Sequence, residues 1–164
     1  MAAYTLIHVV ISLIGIVTGL VVLAGLLSGK RLDSWTAVFL LTTTATSLTG
    51  FGFPFEQLLP SHIVGAISLV VLAVAILARY TYRMAGAWRT AYVVTAVTAL
   101  YLNVFVLVVQ TFQKVPALAA LAPTQSEPPF AIAQLIVLVL FLVLGYRAVV
   151  SFRERPAGSA RQFL

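Results

Sequence analysis

His8 and His62 are the two histidines of a 164-residue chain that has no cysteine. Thiolate metal sites, iron–sulfur clusters, disulfides and thiol nucleophiles are therefore excluded. A neutral imidazole keeps a free lone pair, the form that ligates a divalent metal or a haem iron or accepts a proton from a quinol. His8 falls about one turn into the first apolar segment, and His62 follows Pro60 and Ser61 at the start of the third, with Glu56 shortly before it. His8 and His62 are thus the candidate haem or cofactor pair, and His8, His62 and Glu56 the candidate metal ligands. The competing explanation makes His62 an interfacial residue bonded to the Ser61 turn and His8 a side chain snorkelling to the interface.

Other polar and small residues recur at helical spacing. His8, Ser12, Gly15 and Gly19 share one face of a helix, and Gly15 with Gly19 forms a GxxxG, the pattern that lets two helix backbones approach closely. Gly65 and Ala66 are a second small-residue seam, and both seams are candidate surfaces for self-association. Thr42, Thr43, Thr44, Thr46, Ser47 and Thr49 surround much of one segment. Their hydroxyls can bond carbonyls a turn earlier, or they can line a hydrophilic lane. Tyr92, Ala96, Ala99, Asn103, Val106 and Gln110 fall along a third face. Asn103 lies near mid-membrane and is expected to hydrogen-bond across helices.

No GxSxG, HExxH, P-loop or GxGxxG occurs, and no acid lies deep in an apolar segment where it could carry protons. These absences point away from the common hydrolases and nucleotide-binding enzymes.

The elements that would position these residues are membrane helices. Hydrophobic residues make up 62% and charged residues 9% of the chain, against roughly 25% charged in soluble domains. Apolar segments at about 4–28, 34–53, 61–83, 87–113 and 129–152 predict an all-α integral membrane bundle of five transmembrane helices. They occupy a single domain, 1–164, with an outer loop at 114–128. The first segment lacks a basic n-region and reads as a retained span. Backbone groups in hydrocarbon must be satisfied within each segment, and the runs lack the alternation of a barrel.

Nine of the ten Lys and Arg residues, all but Lys114, fall on one side of this threading. Positively charged loops stay inside, so the amino terminus is expected outside and the carboxyl terminus in the cytoplasm. The net charge of +6 is then topological; anionic lipid is the nearer partner, and nucleic acid is not expected. The same threading puts both histidines, Glu56, Gln110, Glu127 and Gln134 on the outer rim. The loop KVPALAALAPTQSEPP, 114–129, is apolar enough to form a short helix on the membrane surface or over the bundle mouth, burying Leu118 and Leu121. Ser126 and Glu127 before Pro128 mark a helix start.

The stretches SLTGFGFPF, LLPSHIVGAISLVVLA and YLNVFVLVVQTFQKVPALAALAPTQSEPPF resemble small uncharacterised bacterial multi-span inner-membrane proteins. The resemblance implies a bacterial cytoplasmic membrane and a self-contained bundle, and it transfers no catalytic or binding residue. Three functional readings stay open. One is a non-catalytic accessory or structural component, self-associating or joining a membrane-protein partner through Gly15, Gly19 and Gly65, with Asn103 as interhelical glue. Another is a haem- or metal-binding protein using His8 and His62 under the 114–129 loop. The third is a small transporter built on the hydroxyls of the second helix with Asn103 and Gln110.

Overall fold

The structure is a computed structural model that describes residues 2–53 and 60–153. Among these there is no strand. The helices are α1 Ala2–Leu27, α2 Asp33–Gly50, α3 Pro60–Ile76, α4 Ala87–Lys114, α5 Pro116–Leu121 and α6 Pro128–Ser151. A π-helical turn, Leu77–Thr81, extends α3.

Four helical stretches are long and apolar enough to cross a membrane: Ala2–Leu27, His62–Thr81, Ala87–Lys114 and Pro128–Ser151. The expected second span, α2, is not among them. Its 18 residues make about 27 Å of helix, and hydroxyls crowd its second half from Thr42 to Thr49. That polarity is taken up inside the bundle, where Thr36, Thr43, Thr46 and Ser47 are buried. Thr42 bonds the Val38 carbonyl at 2.7 Å, Thr49 that of Ala45 at 2.7 Å and Ser47 that of Thr43 at 3.0 Å.

α2 runs antiparallel to α1 along its whole length. Near one end a Cβ on Gly25 would lie 2.7 Å from Leu32 Cδ1, and near the other the Tyr4 hydroxyl donates to the Thr49 carbonyl at 2.5 Å. The packed pairs α1–α2, α2–α3, α3–α4 and α4–α1 close a ring of four helices, with α1 and α3 on one diagonal. Adjacent helices in the ring are antiparallel: Ser47 on α2 meets Ser68 on α3, and the Gly15–Gly19 face of α1 meets Asn103 and Leu100 on α4. α6 lies outside the ring against α4 and α1. Only Phe141 and Ala148 of α6 are buried, while Ile132, Leu135, Ile136, Val139, Leu142 and Val143 form its exposed apolar face.

One half of the ring is filled by side chains, with Val22, Leu26, Phe39, Leu72, Tyr92 and Leu100 in its core. Helices in lipid gain little from removing apolar surface from an apolar solvent, so close contact and polar bonds hold this half together. At its end Arg79, carried inward on the π turn, pairs with Asp33. The guanidinium lies 5.1 Å from the Tyr92 ring centre and 3.7 Å from Met84 Sδ. Arg83 and Met84, both at positive φ, make the sharp turn that tucks Met84 beneath it.

The 114–129 connection departs in part from expectation. α5 packs on α4 with Leu118 half-buried, but Leu121 is 56% exposed. Its six residues fold beside the end of α4, where Gln125 Nε2 donates to the Val109 carbonyl at 3.1 Å. Glu127 takes the N-cap position of α6 ahead of Pro128, as its sequence position indicates, with its carboxylate turned back to Thr124 and Ser126. Desolvation works to raise its carboxyl, but hydrogen bonds from the Thr124 hydroxyl and from the Thr124 and Ser126 amides outweigh it and hold the group below the usual carboxylate range.

Candidate functional site

The other half of the ring is open. A cavity of about 570 Å³ lies between α1, α2, α3 and α4, on the side of the amino ends of α1 and α3 and the carboxyl ends of α2 and α4. That volume is in the range of small-molecule sites, which are typically apolar clefts with a few placed polar groups. Helix order gives the cavity three levels. Thr5, Phe53, Thr111 and Lys114 form the rim; Val9, Val64, Val106 and Leu107, with Gln110, form largely apolar walls; Ser12, Leu13, Thr46, Ser47, Ser68 and Asn103 form the floor.

Both histidines line this cavity, from the diagonal helices α1 and α3. His8 Nδ1 is 2.8 Å from Thr49 Oγ1, and the Phe53 ring meets the imidazole edge-on at 5.1 Å. The Thr49 hydroxyl proton is directed to the Ala45 carbonyl at 2.7 Å. Nδ1–H is therefore the donor to Thr49, and Nε2 keeps the lone pair. His62 is buried beside the Phe51 ring, with centroids 5.8 Å apart. Among the described residues no group of three or more metal-ligating side chains comes together. Glu56, the expected third metal ligand, lies outside the described residues.

Asn103 lies at the floor, with Nδ2 3.5 Å from Thr43 Oγ1, the outer limit of a hydrogen bond. The Tyr92–Asn103 face of α4 points inward, and its continuation, Val106 and Gln110, lines the cavity. With the Ser47 proton on the Thr43 carbonyl, the Ser68 hydroxyl, 3.0 Å away, donates to Ser47 Oγ and joins α2 to α3 at the floor, and the Thr46 hydroxyl is buried without a partner.

Gly15 and Gly19 face α2 and α4 of the same chain. A Cβ on Gly15 would lie 3.1 Å from Thr43 Oγ1, and one on Gly19 would lie 2.6 Å from Leu100 Cδ1 and 2.8 Å from Phe39 Cε2. Gly65 packs under the Phe51 ring, where a Cβ would lie 3.3 Å from Cε2. Gly15, Gly19 and Gly65 thus each pack against side chains of the same chain, while Ala66, the other residue of the second seam, is exposed.

Glu127 and Gln134, expected on the outer rim, are not among the described residues that line the cavity; Gln134 Nε2 donates to the Phe105 carbonyl at 3.2 Å, tying α6 to α4. Of the 114–129 connection Lys114 and Val115 line the cavity, and no residue of α5 does.

Sequence reasoning missed Arg79, which counted only as a cytoplasmic charge. Its signal was a basic residue four positions before the chain reverses at Arg83 and Met84. It also missed the Ser47–Ser68 bond, since two serines on different segments carry no pairing signal. No family model, curated protein or solved structure matches the chain.

Proposed function

We propose that this chain is a five-span protein of the bacterial cytoplasmic membrane, amino terminus outside and carboxyl terminus cytoplasmic, whose first four helices bind a small amphipathic molecule in a cavity open toward the outer side. The observation that carries this reading is the meeting of His8, His62, Asn103, Gln110 and Lys114, from three helices, on one cavity with apolar walls. Packing of α2 along the full length of α1 supports a fifth crossing despite its hydroxyls. The charge asymmetry supports the orientation.

Such a role is non-catalytic and agrees with an accessory component, but it rests on a ligand rather than on self-association. A conducting lane along α2 has less support, because the cavity ends at Asn103 and packed side chains fill the ring beyond it. Native mass spectrometry of the protein released from membranes tests the reading. A one-to-one small-molecule adduct, lost in Val106→Trp, supports it; no adduct, or one unaffected by Val106→Trp, contradicts it.

The shared cavity of the two histidines and the free Nε2 of His8 also favour a second reading, in which the imidazoles hold haem or a divalent metal. A Soret band after haem supplementation, or stoichiometric metal, that disappears in His8→Ala and His62→Ala would establish it. Neither signal in the wild-type protein would end it.

A further inference from the structure

The four helices do not close the cavity equally on all sides. α1 and α2 are tied at its level by the Tyr4 hydroxyl on the Thr49 carbonyl and by His8 on the Thr49 side chain. Ser47 with Ser68, and the Phe51 ring laid on Gly65, tie α2 to α3. Between α3 and α4 the lining residues Val64, Leu102 and Val106 are all half-buried.

The fourth side differs. α1 and α4 meet at the floor and below it, where a Cβ on Gly15 would lie 3.3 Å from Asn103 Nδ2 and one on Gly19 2.6 Å from Leu100 Cδ1. From the floor upward both helices carry apolar side chains that line the cavity and are also exposed on the outside of the bundle. These are Val9 at 37% and Leu13 at 44% on α1, and Leu107 at 38% on α4. A side chain that faces both a cavity and the exterior stands on the edge of an opening. The outer half of α6 lies elsewhere, held by Gln134 on the Phe105 carbonyl and by the Phe130 ring edge-on to Phe112 at 5.4 Å. Phe105 and Phe112 each stand two residues, about 200° around the helix, from the lining residues Asn103 and Gln110. No residue of α6 is among the described residues that line the cavity.

The opening falls at the depth of lipid tails. Lys114 at the rim and Asn103 at the floor are about 16 Å apart along α4 at 1.5 Å per residue, close to half of a ~30 Å hydrocarbon layer. The cavity is therefore about as deep as one leaflet, and Val9 and Leu107 stand between its rim and its floor. At the bottom the Ser68 hydroxyl is already bonded to Ser47 and the Asn103 amide faces Thr43 Oγ1, so an apolar chain end takes no partner from either.

We infer, given the binding role and the threading proposed above, that one acyl chain of an outer-leaflet phospholipid enters the cavity sideways between α1 and α4, its headgroup staying at the level of Lys114. The chain passes from one apolar medium to another, so the gain comes from contact with walls that would otherwise border a void. It leaves by the same gap, and Ser12 at the floor is reachable from water between occupancies.

The test uses the full chain in phosphatidylcholine nanodiscs doped with a phosphatidylcholine that carries a diazirine near the end of one acyl chain. After irradiation, labelled residues are mapped by mass spectrometry. Label is expected at Ser12 and Val106 inside the cavity, and at Leu135 and Ile136 on the exposed face of α6. Leu107→Trp and Val9→Trp narrow the gap from its two edges at positions that are already exposed. Each should abolish the label at Ser12 and Val106 and leave that on α6 unchanged, whereas Leu142→Trp, equally bulky on the exposed face of α6, should change neither. The one-to-one adduct in the native mass spectrum should have the mass of a phospholipid.

Label on α6 alone in the wild-type protein would overturn the inference. An adduct of another mass that is still lost in Val106→Trp would then leave the binding role standing with a ligand that arrives from water, and no adduct would remove both. Cavity label that survives Leu107→Trp and Val9→Trp in folded proteins would overturn the gap between α1 and α4 as the route.

Discussion

Arg79 and Asp33 form an ion pair of unequal partners: the arginine side chain is 5% exposed and the aspartate side chain 79%. The pair sits at the amino end of α2, where an acid also meets the favourable end of the helix dipole. Its loss should depend on which partner goes. Asp33→Ala strands a buried guanidinium and should cost about 1–2 kcal/mol, a figure held down because water reaches the site of the lost carboxylate. Arg79→Met leaves Asp33 in solvent and keeps an apolar filler beside Tyr92, so it should cost less. Denaturation in detergent micelles checks this; a larger loss for Arg79→Met would show that the guanidinium itself is the stabilising part.

The two glycines of α1 should respond differently to the same change. Gly19→Ala drives a methyl into Leu100 and the buried Phe39 ring, and overpacking of this kind costs about 1–3 kcal/mol. Gly15→Ala meets hydroxyl and amide ends at 3.1–3.3 Å, which can shift slightly, and alanine gains up to about 1 kcal/mol in helix propensity. Its net effect should stay within about 1 kcal/mol. Thermal unfolding of the two variants in one detergent provides the comparison, and equal losses would contradict this packing of α1.

Ser47 and Ser68 should couple across α2 and α3. A double-mutant cycle with Ser47→Ala and Ser68→Ala should return a coupling of about 0.6 kcal/mol, the typical value for a polar bond between membrane helices. No coupling would mean that the contact between the two hydroxyls adds nothing to the bond Ser47 makes with the Thr43 carbonyl.

Much of the frame was legible because membrane helices are written in composition. Apolar runs located α1, α3, α4 and α6, and glycine, proline and charge marked most of their ends. α2 was legible as a segment, but its hydroxyls belong to a buried face that only its neighbours reveal. His8, His62, Asn103 and Gln110 could be placed in depth from sequence, since depth follows from distance along a helix. Their meeting could not, because position in the membrane plane depends on which helices pack. The GxxxG of α1 shows the same limit: small residues announce a close approach but do not say whether the partner is another helix of the chain or a second copy. Arg79 was misread because a positive charge at a helix end satisfies the charge asymmetry whether it faces water or, as here, the Tyr92 ring.

The threading predicts labelling from opposite sides. Because the chain has no cysteine, a single engineered thiol is an unambiguous reporter. Ser126→Cys, in the turn before α6, should react with an impermeant maleimide added to intact spheroplasts, whereas Ser28→Cys, in the turn between α1 and α2, should react only after lysis. Both positions are exposed. Labelling of both from the same side would remove α2 as a crossing.

The cavity and the side on which it opens can be tested together at Ser12. This residue lines the cavity, while Val17 on the same helix is exposed on its outer surface. An anionic, membrane-impermeant methanethiosulfonate added to intact spheroplasts should modify Ser12→Cys and leave Val17→Cys, surrounded by lipid, unreacted. A Ser12→Cys protein that resists the reagent from outside, or reacts only when the cytoplasmic face is exposed, would contradict an outward-facing ligand cavity.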